Sequence, residues 1–201
     1  PNQTLSNAPS VQELFRKGFD KINANALRNL LSHPDMRVRQ AAQFQLVAKA
    51  DAKSLGGIAR QGKGLARLHA VWGLGQLARD GQNQDGALVP LLSDADGEVQ
   101  TQAAKMLGEA RSKAAVPGLI KLLASDNARA QAQAAIALSK IGGNYTDAVV
   151  AMLRRNDDSD PIVRHGGIMA LQALGKALPV VQLSRDKSAA VRLATLIALR
   201  R

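Results

Sequence analysis

Residues 99–108 read VQTQAAKMLG. Val99, Ala103 and Leu107 stand four apart in this stretch, so they share one face of an α-helix. The same trio recurs as Val38, Ala42, Leu46; Ala66, Ala70, Leu74; Ala130, Ala134, Leu138; Val163, Gly167, Leu171; and Val191, Thr195, Leu199. Successive leucines are 28, 33, 31, 33 and 28 residues apart. One amphipathic helix repeated at this period is the signature of a helical solenoid. The spacing predicts an all-α chain: a right-handed α-solenoid (an α-α superhelix) of about six helix pairs. Such a fold is a surface for holding something, and its period does not name the occupant.

The composition agrees. Of 201 residues, 46% are apolar, yet there are only three Phe, one Trp and one Tyr. Alanine is abundant, which suits close helix packing and has the best helix propensity. Valine and isoleucine never fall into alternating strand runs. With no cysteine, the chain itself can hold no disulfide, thiolate metal site, cysteine nucleophile or c-type haem attachment. Its compartment stays open. No apolar run reaches transmembrane length, and no signal peptide is visible. The chain starts at proline, which reads as processing or excision from a longer protein. The net charge of +11 hints at an anionic partner.

Residues 1–9 read as a linker. Ser10 and Glu13 then form an S-x-x-E capping box that opens a terminal helix over 10–21, where Val11, Leu14, Phe15 and Phe19 close the apolar end. Repeats follow at about 22–50, 52–79, 85–111, 113–142, 145–175 and 177–201, making one solenoid. Gly56-Gly57 predicts that repeat two has the least stable first helix, each glycine costing about 1 kcal/mol against alanine. The last helix leaves Leu196, Ile197 and Leu199 at an open end, which points to a longer natural chain or a partner.

The unit L-x-x-L-L, an Asp-bearing turn, then V-R-x-x-A-A-x-x-L-G resembles the HEAT repeat in its short bacterial form. The best copies are Leu119-Ile120-Lys121-Leu122-Leu123 with Ala134-Ala135-Ile136-Ala137-Leu138, and Val99 through Ala103-Ala104-Lys105-Met106-Leu107-Gly108. The resemblance covers about 22–201. A narrower likeness lies in 64–75 (GLARLHAVWGLG) and in Asp160-Pro161 through Arg164-His165. These resemble the HEAT segment of large secreted bacterial proteins that pair a sugar-dehydrogenase-like propeller with a c-type haem domain. That likeness implies a connector between modules, periplasmic or secreted; without it the chain reads as cytoplasmic.

The family resemblance also implies a ladder of Asp and Arg between neighbouring repeats. Its columns hold Arg39, Arg67, Gln100, Gln131, Arg164 and Arg192, and His33, Gln61, Asp94, Ser125, Asp158 and Asp186. Gln100 and Gln131 interrupt it, leaving Arg39, Arg67, Asp94, Asp158, Arg164, Asp186 and Arg192 as inter-repeat glue. Acids gather at the turns before second helices and bases after them, as helix dipoles favour. This predicts an acidic and a basic rim. Nucleic-acid binding along the basic rim is the alternative function, although aromatics for stacking are scarce.

In a HEAT array the second helices line the concave side. Counting from the Val column, outward positions are expected two, five, six and nine residues on. Position six reads Phe44, Trp72, Lys105, Ile136, Met169 and Ile197; position two includes Leu68 and His165; position five includes Ile168. A solvated face should be polar, and contiguous apolar surface marks interaction. The expected partner face is therefore Phe44, Leu68, Trp72, Ile136, His165, Ile168 and Met169, holding a protein or a neighbouring domain of the same polypeptide. Burial by curvature is the competing reading.

Nothing points to catalysis or a cofactor. His33, His69 and His165 sit in different repeats with no carboxylate spaced as a metal set. Gly56-Gly57 and Gly142-Gly143 lack the strand and Gly-Lys-Ser/Thr of a phosphate loop. Helical-repeat DNA glycosylases need a basic, aromatic groove that is not written here. The reading is a non-catalytic, monomeric scaffold or interdomain connector, with no membrane partner.

Overall fold

The computed structural model describes residues 10–175 and 178–200, apart from the Leu178 side chain. The predicted linker 1–9, Lys176, the start of repeat six at Ala177, and Arg201 lie outside the described residues. Among those described, every regular element is helical.

The chain divides into two compact units, Pro1–Leu77 and Ala78–Arg201. The first holds α1 (Val11–Lys17), α2 (Ala24–Leu30), α3 (Met36–Ala48), α4 (Ala52–Gln61) and all but the last two residues of α5 (Gly64–Arg79). The second holds α6 (Asp85–Leu88), α7 (Gly97–Glu109), α8 (Val116–Leu122), α9 (Ala128–Ile141), α10 (Thr146–Asn156), α11 (Pro161–Ala173), α12 (Leu178–Gln182) and α13 (Ala189–Arg200). Helices α3, α5, α7, α9, α11 and α13 are the second helices read from the repeat.

Polar caps set the starts. Ser10 Oγ accepts from Glu13 N at 3.2 Å while Ser10 N donates to Glu13 Oε2 at 2.9 Å, so each satisfies an orphan donor of the other. Asp35, Asp51, Asp96, Asn127 and Asp160 cap α3, α4, α7, α9 and α11 with their side chains. The four aspartates among them sit where the helix dipole favours negative charge. Helix α4 runs a regular ten residues through Gly56-Gly57. Among the described residues, α6 spans four residues and α12 five. Pro90 accounts for α6: it lacks an N–H and its ring crowds the carbonyl four residues back, so the chain tightens into a 3-10 turn over Val89–Ser93.

The repeated trios form the core. Val38, Ala42, Leu46, Ala70 and Leu74 are fully buried in the first unit; Val99, Ala103, Leu107, Ala130, Ala134, Leu138, Leu171 and Val191 are in the second. Leu199 alone among the trio leucines is half-buried. At the N-terminal end Leu14 and Phe19 are buried, and Phe15 stays 47% exposed with its ring edge-on to Phe19 at 5.2 Å.

In the second unit α7, α9 and α11 pack side by side in a row. Small residues set their spacing. A Cβ built on Gly108 of α7 would lie 2.7 Å from the Cα of Ala137 in α9. One built on Gly166 of α11 would lie 2.8 Å from the Cα of Ala132 in α9. The backbones are too close for any larger residue.

Candidate interaction surfaces on the second helices

The Arg and Gln column binds within its own repeats, and Arg39 binds across to the next repeat as well. Each member reaches back into the turn or helix end of its own repeat. Arg39 Nη1 donates to His33 O at 2.7 Å and Pro34 O at 2.8 Å. Arg67 Nε donates to Ala59 O at 2.7 Å. Gln100 Nε2 donates to Asp94 O at 2.7 Å, and Gln131 Nε2 to Ser125 O. Arg164 Nη1 meets Asp158 Oδ1 at 2.6 Å. Arg192 Nη1 donates to Asp186 O at 2.8 Å and Lys187 O at 2.9 Å. Except at Arg164, which pairs with a carboxylate, the column supplies an N–H donor to backbone carbonyls at the end of a first helix. One donor suffices, so Gln does what Arg does, and the breaks at Gln100 and Gln131 are no breaks.

Bonds between repeats involve Arg39, through His69, and Asp186, together with residues outside these columns. Arg154 Nη2 pairs with Asp186 Oδ2 at 2.5 Å, and this hydrogen bond holds the Asp186 carboxyl below the usual carboxylate range. Arg129 pairs with Glu98 at 2.8 Å, and Arg155 Nη2 donates to Leu123 O at 2.7 Å. In the first unit Arg28 donates to Ser54 Oγ at 2.5 Å. Ion pairs this exposed contribute at most about 1 kcal/mol each.

A buried polar chain links α3 to α5, and nothing in the helical period announces it. His69 is 4% exposed and Arg39 8%. Arg39 Nε lies 3.2 Å from His69 Nε2, and His69 Nδ1 lies 2.7 Å from Gln43 Oε1. Gln43 Nε2 then donates to Gln76 Oε1 at 3.1 Å. Because arginine only donates, His69 Nε2 accepts and its proton sits on Nδ1. Burial, then the Arg39 charge, lowers the His69 pKa to about 4. The imidazole is neutral and held from both sides. Its ring meets Trp72 edge-on at 4.9 Å. The signal that could have found this chain is two glutamines and a histidine on helix faces that otherwise carry alanine, valine and leucine.

The expected outward face separates into two kinds of column. Position five faces inward: Gln43, Val71, Ala104, Ala135 and Ile168 are all buried. Ile168 is therefore a core residue, 8% exposed, and leaves the list of partner anchors. For Ile168 the cause is the row of second helices in its own unit, where α11 packs between α9 and α13. Position two is buried at Thr101 and Ala132, half-buried at Leu68, and exposed at His165. Position six points out. In the first unit it shows Phe44, 46% exposed, and half-buried Trp72. In the second it shows exposed Lys105 and half-buried Ile136, Met169 and Ile197. Each unit thus carries an apolar ridge at position six, Lys105 being its one charged member.

Among the described residues, no three of His, Cys, Asp and Glu gather as a metal set. None of the described helices is long and apolar enough to cross a membrane.

Stacked helix pairs with small-residue contacts and an outward ridge define an α-helical repeat protein. Residues 86–172, within the second unit, match the family model of HEAT repeats. No curated protein matches the chain by sequence. Among solved structures, two engineered proteins are similar in fold. One is 22% identical with a TM-score of 0.53, covering 89% of this chain and 96% of its own. The other is 21% identical with a TM-score of 0.53, covering 89% and 98%. A chain in the complex of CpcE and CpcF of phycocyanin lyase from Nostoc sp. PCC7120 is 19% identical with a TM-score of 0.56, covering 98% of this chain and 79% of its own. The fold is that of a helical-repeat solenoid.

Proposed function

We propose that the chain is a non-catalytic scaffold or interdomain connector that holds a protein partner, or a neighbouring domain of its own polypeptide, on the position-six ridges of its second helices. The observation that carries this is the ridge itself: Phe44 and Trp72 in one unit, Ile136 and Met169 in the other, apolar and only partly covered. Leu68 and His165 flank them. HEAT repeats over 86–172 support an interaction role, and one similar structure is a chain of a two-protein complex. Nucleic acid fits this ridge poorly, because phosphates need clustered cations and the column carries Lys105 alone.

The test is site-specific photo-crosslinking from positions 40 and 165 in producing cells, comparing the parent chain with Phe44→Ser and Ile136→Ser. A discrete adduct that both substitutions weaken, with unchanged helicity, is the expected result. Adducts indifferent to the substitutions overturn the reading. So does salt-sensitive duplex DNA binding that the substitutions leave intact while no adduct forms.

A further inference from the structure

Charge is unevenly spread along the chain, and most of the excess lies with the first unit. Residues 1–77 hold eleven Lys and Arg against four Asp and Glu, a net of +7 out of the chain's +11. Three of those four acids are engaged at helix starts: Glu13 accepts from Ser10 N, Asp35 from Arg37 N and Asp51 from Ser54 N. Neither second helix of this unit contains an acid; the charged residues of α3 and α5 are all arginine. In the second unit α7 alone brings two acids, Glu98 and Glu109.

Helices α3 and α5 lie side by side, joined by the Arg39–His69 and Gln43–His69 bonds. Their outward arcs hold Met36, 63% exposed, Phe44, 46%, and Leu65, 51%, with half-buried Leu68 and Trp72. Leu65, Leu68 and Trp72 share one stripe of α5 (i, i+3, i+7), and Met36 and Phe44 lie on the same side of α3 (i, i+8). Two apolar stripes on adjacent helices make a seat on which an amphipathic helix lays its apolar face. The rim of this seat is basic. Exposed Arg37 stands at the start of α3 and exposed Lys49 at its end, and exposed Lys63 stands two residues before Leu65. Arg37 is paired with Asp35 at 2.7 Å, so the test falls on Lys63. In such an arrangement the apolar centre supplies grip and the charged rim selects the partner.

We infer that the α3–α5 face of the first unit seats one acidic amphipathic helix of a partner protein, with bulky apolar residues against Phe44, Leu65 and Trp72 and with Asp and Glu toward the basic rim. This rests on the ridge reading for the presence of a protein partner and adds the partner's sign. A helix of like charge is repelled by the same field that draws an acidic one.

Trp72 is the single tryptophan and reports on this face directly. The probe is a hydrocarbon-stapled helical peptide without tryptophan, with leucines along one face and glutamates flanking them, titrated into the full chain. Its control has lysine in place of every glutamate. The expected result is a saturable change in Trp72 emission with the glutamate peptide and binding of the lysine peptide weaker by about tenfold or more, the gap narrowing as salt rises. Lys63→Glu weakens the glutamate peptide by about threefold or more and strengthens the lysine peptide. Leu65→Ser abolishes glutamate-peptide binding, and Ile136→Ser leaves it unchanged. Leu65 and Lys63 are both exposed, so their variants keep the helicity of the parent chain. Equal binding of the two peptides, lost in Leu65→Ser, overturns the acidic partner and leaves the ridge reading standing. So does binding of neither peptide beside in-cell adducts that Phe44→Ser weakens. Glutamate-peptide binding indifferent to Leu65→Ser and Lys63→Glu lies elsewhere on the chain and overturns the inference. Tighter binding to phosphatidylglycerol vesicles than to the glutamate peptide, lost in Leu65→Ser, makes a membrane surface the occupant and overturns it too. Absence of both peptide binding and in-cell adducts overturns both readings together.

Discussion

At the residue scale, what the members of the column after the repeat's valine share is a hydrogen-bond donor, charged at Arg164 and neutral at Gln100. Arg192 and Gln100 both close the turn of their own repeat through a backbone carbonyl. Arg192→Gln is therefore expected to change stability by no more than about 0.5 kcal/mol, whereas Gln100→Leu costs about 1–2 kcal/mol by stranding the Asp94 carbonyl. Urea unfolding of the two variants separates donor from charge; equal losses would restore an electrostatic role. A second set of residues is under backbone strain. Ala50 and Arg111 end α3 and α7 with φ of 52° and 53°, where a β-carbon crowds the following carbonyl. Ser112 N donates to Leu107 O at 3.0 Å across such an end, as a helix stop of this kind requires. Arg111→Gly relieves the crowding at some entropic cost and is expected to stabilise by up to about 1 kcal/mol, seen as a higher urea midpoint.

At the element scale, the glycines separate by what surrounds them. Gly57 lies inside α4 with no atom within 4 Å of where a Cβ would stand, so Gly57→Ala gains helix propensity and should stabilise by about 0.5–1 kcal/mol. Gly108 faces the backbone of α9 at 2.7 Å, so the same change there forces α7 and α9 apart and costs about 1–3 kcal/mol. Thermal unfolding of both variants checks the pair, and a stabilising Gly108→Ala would refute the close-packed row. Neither role can be told from the letters alone: both glycines read as penalties against alanine. The trios Val38-Ala42-Leu46 and their counterparts were legible because burial imposes a period. What a glycine or a position-five residue meets depends on the distance to the next helix, which no single period encodes. Ile168 illustrates this, lying on the expected outward arc yet covered by the row.

At the scale of the whole molecule, the two units are stabilised differently, and acid distinguishes them. The first unit contains the buried Arg39–His69–Gln43–Gln76 chain; the described core of α7, α9 and α11 is alanine, glycine, leucine, isoleucine, valine and methionine, with Thr101 its one polar side chain. This asymmetry was not legible in a repeat whose leucines are uniform, because a polar network is written in residues that do not recur. In the folded chain burial, and then the Arg39 charge, push the His69 pKa down to about 4 from its ordinary 6.5. The unfolded chain therefore binds more protons between those values, and stability falls as pH drops through that window. Above 6.5 the neutral imidazole's contribution is complete; below about 4 it is gone. A shift of this size corresponds to on the order of 3 kcal/mol. His69→Gln removes the titrating group and should flatten the pH dependence, even if it lowers stability at pH 7. The reporters are already in place: the single tryptophan, Trp72, lies against His69 in the first unit, and amide exchange in α9 and α11 reports the second. Between pH 7 and 4, the urea midpoint read by Trp72 should fall while protection of α9 and α11 is held. Parallel loss at both reporters would mean that the chain unfolds as one cooperative body. An unchanged Trp72 midpoint would mean that His69 accommodates its proton without opening the contact with Arg39.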